Sequence, residues 1–245
     1  IILAGLLPED ELRDLAKRLP LIVVGRRVAG LAVVVSEMDE ELIGEIERSR
    51  IPTVFYDVGT PGPHISNIRV NYRSGIERAV GYLYGLGHRR YGFVGHHSAL
   101  GPTSERERAF VETLAHYGSA AQYRSAADED RLDGGRNAAR KLLDGSYMPT
   151  AIICVNDLMA VGVLRELRDR GLRVPEDVSV TGFDNVKLSE YCSPALTTLH
   201  IPRDRIGSLA AELLVPAQSK TALAHAEVVI DPELVIREST GPAPA

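Results

Sequence analysis

PEDVSVTGFDN, residues 175–185, begins with a proline, continues into a nearly apolar run from Val178 and ends in an acid and an amide. Its length and composition predict a strand that is covered on both faces of a sheet. Open α/β sheets place ligands at the carboxyl ends of their strands, so Asp184 and Asn185 are predicted to face a cleft. The sequence around this strand therefore predicts a polar site at the strand's carboxyl end.

Similar runs alternate with amphipathic helical patterns along nearly the whole chain. The apolar or nearly apolar runs lie at residues 33–35, 54–56, 68–70, 91–94, 152–154 and 178–180. Between them apolar residues recur at spacings of three and four, which predicts helices. Alternating strands and helices predict parallel strands joined by crossover helices, so the predicted fold class is α/β.

The composition limits the classes of protein that the chain can belong to. At 245 residues it exceeds the usual size of a single core, which predicts one large domain or two lobes. A net charge of -5 argues against extended contact with nucleic acid by this chain alone. Two cysteines without CxxC spacing favour a reducing cytoplasm, and no apolar run is long enough to cross a bilayer. We therefore expect a soluble cytoplasmic protein with no membrane partner.

No motif for catalysis or for a cofactor occurs. The sequence lacks GxSxG, GxxxxGK[ST] and HExxH patterns, and neither cysteine has a histidine nearby in the sequence. His96 and His97 are adjacent on a predicted strand, so their side chains point to opposite faces and do not predict a metal site. No cofactor, metal or catalytic residue is predicted, and the chain is not expected to be an enzyme.

Six segments in order resemble the effector-binding region of the lactose/galactose repressor (LacI/GalR) family. They are LGHRRYGFVG (86–95), ERERAF (105–110), VNDLMAVG (155–162), PEDVSVTGFDN (175–185), SPALTT (193–198) and PELVIREST (232–240). The resemblance extends over about residues 30 to 240. The family's helix-turn-helix DNA-binding domain has no counterpart in this sequence, so the chain resembles the sensor portion alone.

The resemblance implies two similar lobes, each a mainly parallel sheet with helices on both faces, joined by three crossings. On this sequence the first lobe would comprise residues 1–96 and 202–220, and the second 97–201 and 224–245. The crossings are expected near 95–98, 199–202 and 220–228, with a helix at 203–214 returning to the first lobe. A short connection at residues 26–31 leads us to expect that chain is missing there, because parallel neighbouring strands need a longer crossover.

Five residues are candidate effector contacts. Arg106 matches an arginine that the family uses for the effector, and its guanidinium can bind two acceptors at once. Asn156 follows a predicted strand, where a helix N-cap role is compatible with ligand contact. Asp184 and Asn185 follow the strand described first and suit either ligand contact or a turn. Asp57 matches an effector-contacting position of the family, with turn formation as the alternative.

This set of donors and acceptors suits a small molecule with several hydroxyl groups, such as a sugar. One feature departs from the family: Asp130 stands where an aromatic ring is common. The expected protein is a cytoplasmic transcriptional regulator that binds a small polar effector, forms a homodimer and reaches operator DNA through a headpiece outside this chain. The alternative is a periplasmic sugar receptor of a transporter, which would share the two-lobed fold.

Overall fold

The computed structural model describes residues 30–34, 40–57, 60–97, 102–214 and 226–244, which form ten strands, seven α-helices and one short 3-10 helix (Gly118–Ala120). The strands are β1 (Leu31–Val34), β2 (Thr53–Tyr56), β3 (Ile65–Val70), β4 (Arg90–His96), β5 (Gln122–Asp128), β6 (Ala151–Cys154), β7 (Ser179–Asp184), β8 (Thr197–His200), β9 (Glu227–Ile230) and β10 (Glu233–Val235). The helices are α1 (Glu40–Ser49), α2 (Tyr72–Gly85), α3 (Pro102–His116), α4 (Leu132–Leu143), α5 (Asp157–Asp169), α6 (Leu188–Tyr191) and α7 (Arg203–Leu214).

The chain divides into two compact units. Unit 1 comprises Ile1–Val70 and Pro202–Ile230, and unit 2 comprises Asn71–Ile201 and Asp231–Ala245. The chain therefore passes between the units three times. The first passage lies at Val70 and Asn71, earlier than the boundary expected at residues 96 and 97, because β4 pairs with β5 and β6 in unit 2. The third lies at Ile230, so β9 is in unit 1, whereas residues 224–245 were expected in the second lobe.

Unit 1 contains a parallel four-stranded sheet in the order β1-β2-β3-β9. Adjacent residues of β2 point to opposite faces. On one face Phe55 packs with Val33 and Ile46 of α1, and on the other Val54 packs with Ile68 and the apolar side of α7. The sheet of unit 1 thus has a helix on each face. The expected missing chain near residues 26–31 lies almost wholly outside the described residues.

Unit 2 contains a six-stranded sheet in the order β10-β8-β7-β6-β4-β5. Only the β10–β8 pair is antiparallel among these strands. Neighbouring residues of β4 show helices on both faces: Phe93 contacts Phe110 of α3, with ring centroids 5.1 Å apart, and Gly92 lies under Leu142 of α4. The α/β class and the mainly parallel sheets are therefore confirmed.

No helix in the described part of the chain is both long and apolar enough to cross a membrane.

Candidate functional site

The candidate site lies where four neighbouring parallel strands of unit 2 end. His96 closes β4, Asp130 follows β5, Asn156 follows β6 and Asp184 closes β7. Because β5, β4, β6 and β7 are consecutive in the sheet, their carboxyl ends share one edge. We call these four residues, together with Arg106 of α3, the site edge.

Arg106 is held in place by contacts with other residues of the protein. It is 8% exposed, and its Nη1 donates to the carbonyl oxygen of Val155 at 2.5 Å. Its Cζ lies 4.3 Å from the ring centroid of Tyr72 and 4.5 Å from that of Phe183, which are favourable cation–π distances. Its Nε is buried and has no hydrogen-bond partner among the described residues. The guanidinium is therefore fixed in place with a donor to spare.

Asn156 is the N-cap of α5. Its Oδ1 accepts from the backbone N–H of Met159 at 2.9 Å, and its Nδ2 donates to Oδ1 of Asp130 at 2.5 Å. These two bonds orient the amide, because the cap occupies its oxygen and Asp130 takes one of its two N–H groups. Asn156 can therefore offer a ligand one further N–H donor.

His96 lies beside the same aspartate. Its Nε2 is hydrogen-bonded to the hydroxyl of Thr103 at 2.5 Å and lies 3.9 Å from Oδ2 of Asp130. Burial lowers the pKa of His96 below its usual 6.5, and Arg106 acts in the same direction, whereas Asp130 opposes the change. The imidazole is consequently neutral at pH 7.

Asp184 and Asn185 form a sharp turn at the end of β7, with φ angles of 104° and 52°. Aspartate and asparagine tolerate this left-handed region better than most residues do. The Asn185 amide has protein partners at both ends: Oδ1 accepts from Arg237 at 2.8 Å, and Nδ2 lies 3.1 Å from Nδ1 of His200. Asn185 therefore fixes the turn that presents Asp184.

Asp157 stabilises this turn through hydrogen bonds of its buried carboxyl group. Its Oδ1 accepts from the hydroxyl of Thr198 at 2.5 Å, and its Oδ2 accepts from the backbone N–H of Val186 at 2.8 Å. Burial raises the pKa of Asp157 to about 7, although both hydrogen bonds act against this. The residue ties the start of α5 to β8 and to the segment after Asn185.

Asp57 belongs to unit 1. It follows β2 with a φ of 61°, and its Oδ1 accepts from the backbone N–H of Val70 at 2.7 Å. Its backbone N–H donates to the carbonyl oxygen of Ile68 at 2.9 Å. These bonds match the turn-forming alternative and leave its effector role as a prediction.

Sequence reasoning missed three residues that shape the site edge. Tyr72 and Phe183 were not singled out from the sequence; both are buried, and the guanidinium of Arg106 packs over their rings. Asp157 was passed over beside Asn156. The sequence offered one signal for Asp157, because this acid begins a helix shortly after an apolar strand. An acid at the start of a helix is usually solvated, whereas Asp157 is fully buried.

One family model matches this chain, and the relatives that match it include two named repressors. The model describes a periplasmic binding protein-like domain and matches residues 80–240. The repressor PurR of Photobacterium profundum is 34% identical over 94% of this chain and 67% of its own length. The repressor CytR of Escherichia coli is 30% identical over 91% of this chain and 66% of its own length. The chain thus spans about two thirds of these proteins.

A solved structure of a LacI family regulator from Enterococcus faecium, with bound ribose, is 25% identical and has a TM-score of 0.74. The match covers 89% of this chain and 81% of that one. PurR and CytR are transcriptional repressors, not enzymes, in agreement with the expected absence of catalysis. The chain belongs to the LacI/GalR family of transcriptional regulators and corresponds to the family's effector-binding, periplasmic-binding-protein-like domain.

Proposed function

We propose that this domain senses a small sugar or sugar-like molecule in the cytoplasm and that Arg106, Asn156 and Asp184 contact it. The observation that carries the proposal is the fixed guanidinium of Arg106, whose Nε has no acceptor among the described residues. A donor held in this way lowers the entropy cost of binding a ligand oxygen. Asp57 is proposed as a further contact from unit 1, and Asn185, which also fixes the turn, as a further contact beside Asp184.

The chemistry of the site edge favours hydroxyl groups. A hydroxyl both donates and accepts, so it can accept from Arg106 or Asn156 while donating to the Asp184 carboxylate. Bonds in which one partner is charged are about twice as strong as neutral ones. The ribose-bound regulator of E. faecium gives independent support for a ligand of this class.

The proposed response is a change in DNA affinity. A bound ligand would alter that affinity only as far as it favours one conformation of the protein over another, typically by about 1 to 3 kcal/mol. The DNA contact itself is proposed to lie in a headpiece outside this chain. The two repressor relatives favour this role over that of a periplasmic receptor.

A thermal-shift screen tests the ligand class. We expect pentoses, hexoses or polyols to raise the melting temperature, because a ligand at 100 times its Kd stabilises the folded state by about 2.7 kcal/mol. Purines and amino acids serve as comparison classes. Stabilisation by one of these alone would contradict the proposed ligand class while keeping the domain a sensor.

We further propose that unit 2 contributes to a homodimer through α5 and α6. Tyr191 is 73% exposed, and Leu158 and Leu188 are also exposed large apolar side chains. Since α5 and α6 contact each other, these three residues belong to neighbouring elements. A second copy of the chain is the occupant that the family membership favours.

Tyr191→Asp is expected to weaken the dimer by about tenfold or more, because it puts a charge where an apolar ring would be buried. Analytical ultracentrifugation of the full chain measures the dimer dissociation constant. Tyr123→Asp, at an exposed ring on β5, is the matched control and should leave the constant unchanged. Equal effects of the two variants, or a monomeric parent at millimolar concentration, would refute the proposal.

A further inference from the structure

Asp130 makes contacts at the site edge that its place in a loop does not predict. One carboxylate oxygen accepts from Asn156 Nδ2 at 2.5 Å, and the other lies 3.9 Å from His96 Nε2. The side chain is nevertheless about half exposed, so its second oxygen can still accept from a ligand. Asp130 thus combines a structural contact with an available acceptor.

The charge of the site edge follows from its members. Arg106 is a cation, Asp130 and Asp184 are carboxylates, and His96 is neutral at pH 7 because its pKa is lowered. The nearby cations Lys141 and Arg131 are paired with Asp128 and Glu129. Two carboxylates therefore outweigh one guanidinium at the site edge.

We infer that Asp130 determines specificity, accepting a hydroxyl of the effector and discriminating against anionic ligands such as sugar phosphates. The inference rests on the proposed sugar-like effector and narrows it to uncharged polyols. A hydroxyl can donate to the Asp130 carboxylate, whereas a phosphate monoester is mostly dianionic at neutral pH, so it rarely has a proton to donate and is repelled by the charge of Asp130. Asn156 presents its remaining N–H beside the same carboxylate, so one pair of adjacent hydroxyls can use both groups.

Asp130→Asn removes the negative charge of the side chain but keeps its size and shape. The new amide oxygen can still accept from Asn156, so the amide at 156 keeps its orientation, but the negative charge is gone. Calorimetry on the parent and the variant is done with D-ribose and ribose 5-phosphate, and with D-glucose and glucose 6-phosphate. The ratio of neutral-sugar affinity to phosphate affinity is expected to fall by about tenfold in the variant, chiefly because the phosphate binds better.

Two control variants distinguish the effect of charge at Asp130 from an effect of net charge or of lost packing. Glu176→Gln makes the same charge change at an exposed residue before β7, at the opposite end of that strand, and should leave the ratio unchanged. Asp130→Ala removes the acceptor for Asn156 as well, so neutral sugars should also bind more weakly. In addition, the pKa of His96 measured by NMR should drop in Asp130→Asn, because Asp130 raises it in the parent.

The outcomes distinguish this inference from the proposed function. A parent that prefers the phosphates, or an affinity ratio that stays within twofold in Asp130→Asn, overturns the inference and leaves a sugar-class effector standing. A parent that binds none of the four probes contradicts the effector class itself, and the inference falls with it.

Discussion

Arg106→Ala is expected to weaken binding of any sugar-class ligand by about 100-fold or more. The substitution removes charge-assisted donors, each worth roughly 1.5 to 3 kcal/mol when lost from a buried contact. The loss is large because the protein has already fixed the guanidinium over Tyr72 and Phe183 and bonded it to Val155. Isothermal titration with the best ligand from the screen measures the change.

Two further variants separate recognition from folding. Arg106→Lys keeps the charge over the rings but lacks the planar fork of donors, so it should fold normally and still bind at least about tenfold more weakly. Arg108→Ala removes a 67% exposed guanidinium from the same helix and should bind like the parent. If both Arg106 variants bound the ligand as tightly as the parent, with unchanged melting temperatures, the ligand would not bind at the site edge.

The sequence predicted Arg106 but not the rings beneath it, and the difference has a physical origin. A charged residue near the start of a helix is visible in a motif, because its neighbours in the chain form that motif. Tyr72 and Phe183 meet Arg106 only after α2, α3 and β7 pack together, and such contacts between distant segments leave no local pattern. A buried aromatic residue looks the same in sequence whether it fills a core or supports a cation.

The boundary between the units was hidden for the same reason. The run at residues 91–94 was predicted as a strand, and β4 does contain it. The unit to which a strand belongs depends on the strands with which it forms hydrogen bonds. Strand β4 pairs with β5 and β6, which lie later in the sequence and belong to unit 2. Periodicity identifies a strand without its neighbours, so the predicted passage fell after β4 where the structure has it before α2.

Gly135→Ala is expected to destabilise unit 2 by about 3 kcal/mol and to weaken ligand binding with it. A methyl group at Gly135 would lie 2.1 Å from the carbonyl oxygen of Met159, which is backbone and cannot rotate away. Helix α4 would have to move from α5, and overpacking of this kind costs more than the roughly 1 kcal/mol that alanine gains over glycine in a helix. Since Asn156 caps α5 at Met159, the displacement would reach the site edge.

Gly81→Ala is the matched control, because it makes the same change within α2. The only atom within 4 Å of the added methyl in the described structure is Tyr117 Oη, at 3.7 Å, which is an ordinary contact. We therefore expect the opposite sign, a gain of about 0.5 to 1 kcal/mol from helix propensity. Urea unfolding measures the free energy of unfolding of both variants. If Gly135→Ala were as stable as Gly81→Ala, the added methyl group would have no steric cost, and α4 and α5 could separate freely. A destabilised Gly135→Ala that retains full ligand affinity would instead show that the cap at Asn156 is independent of the packing of α4 on α5.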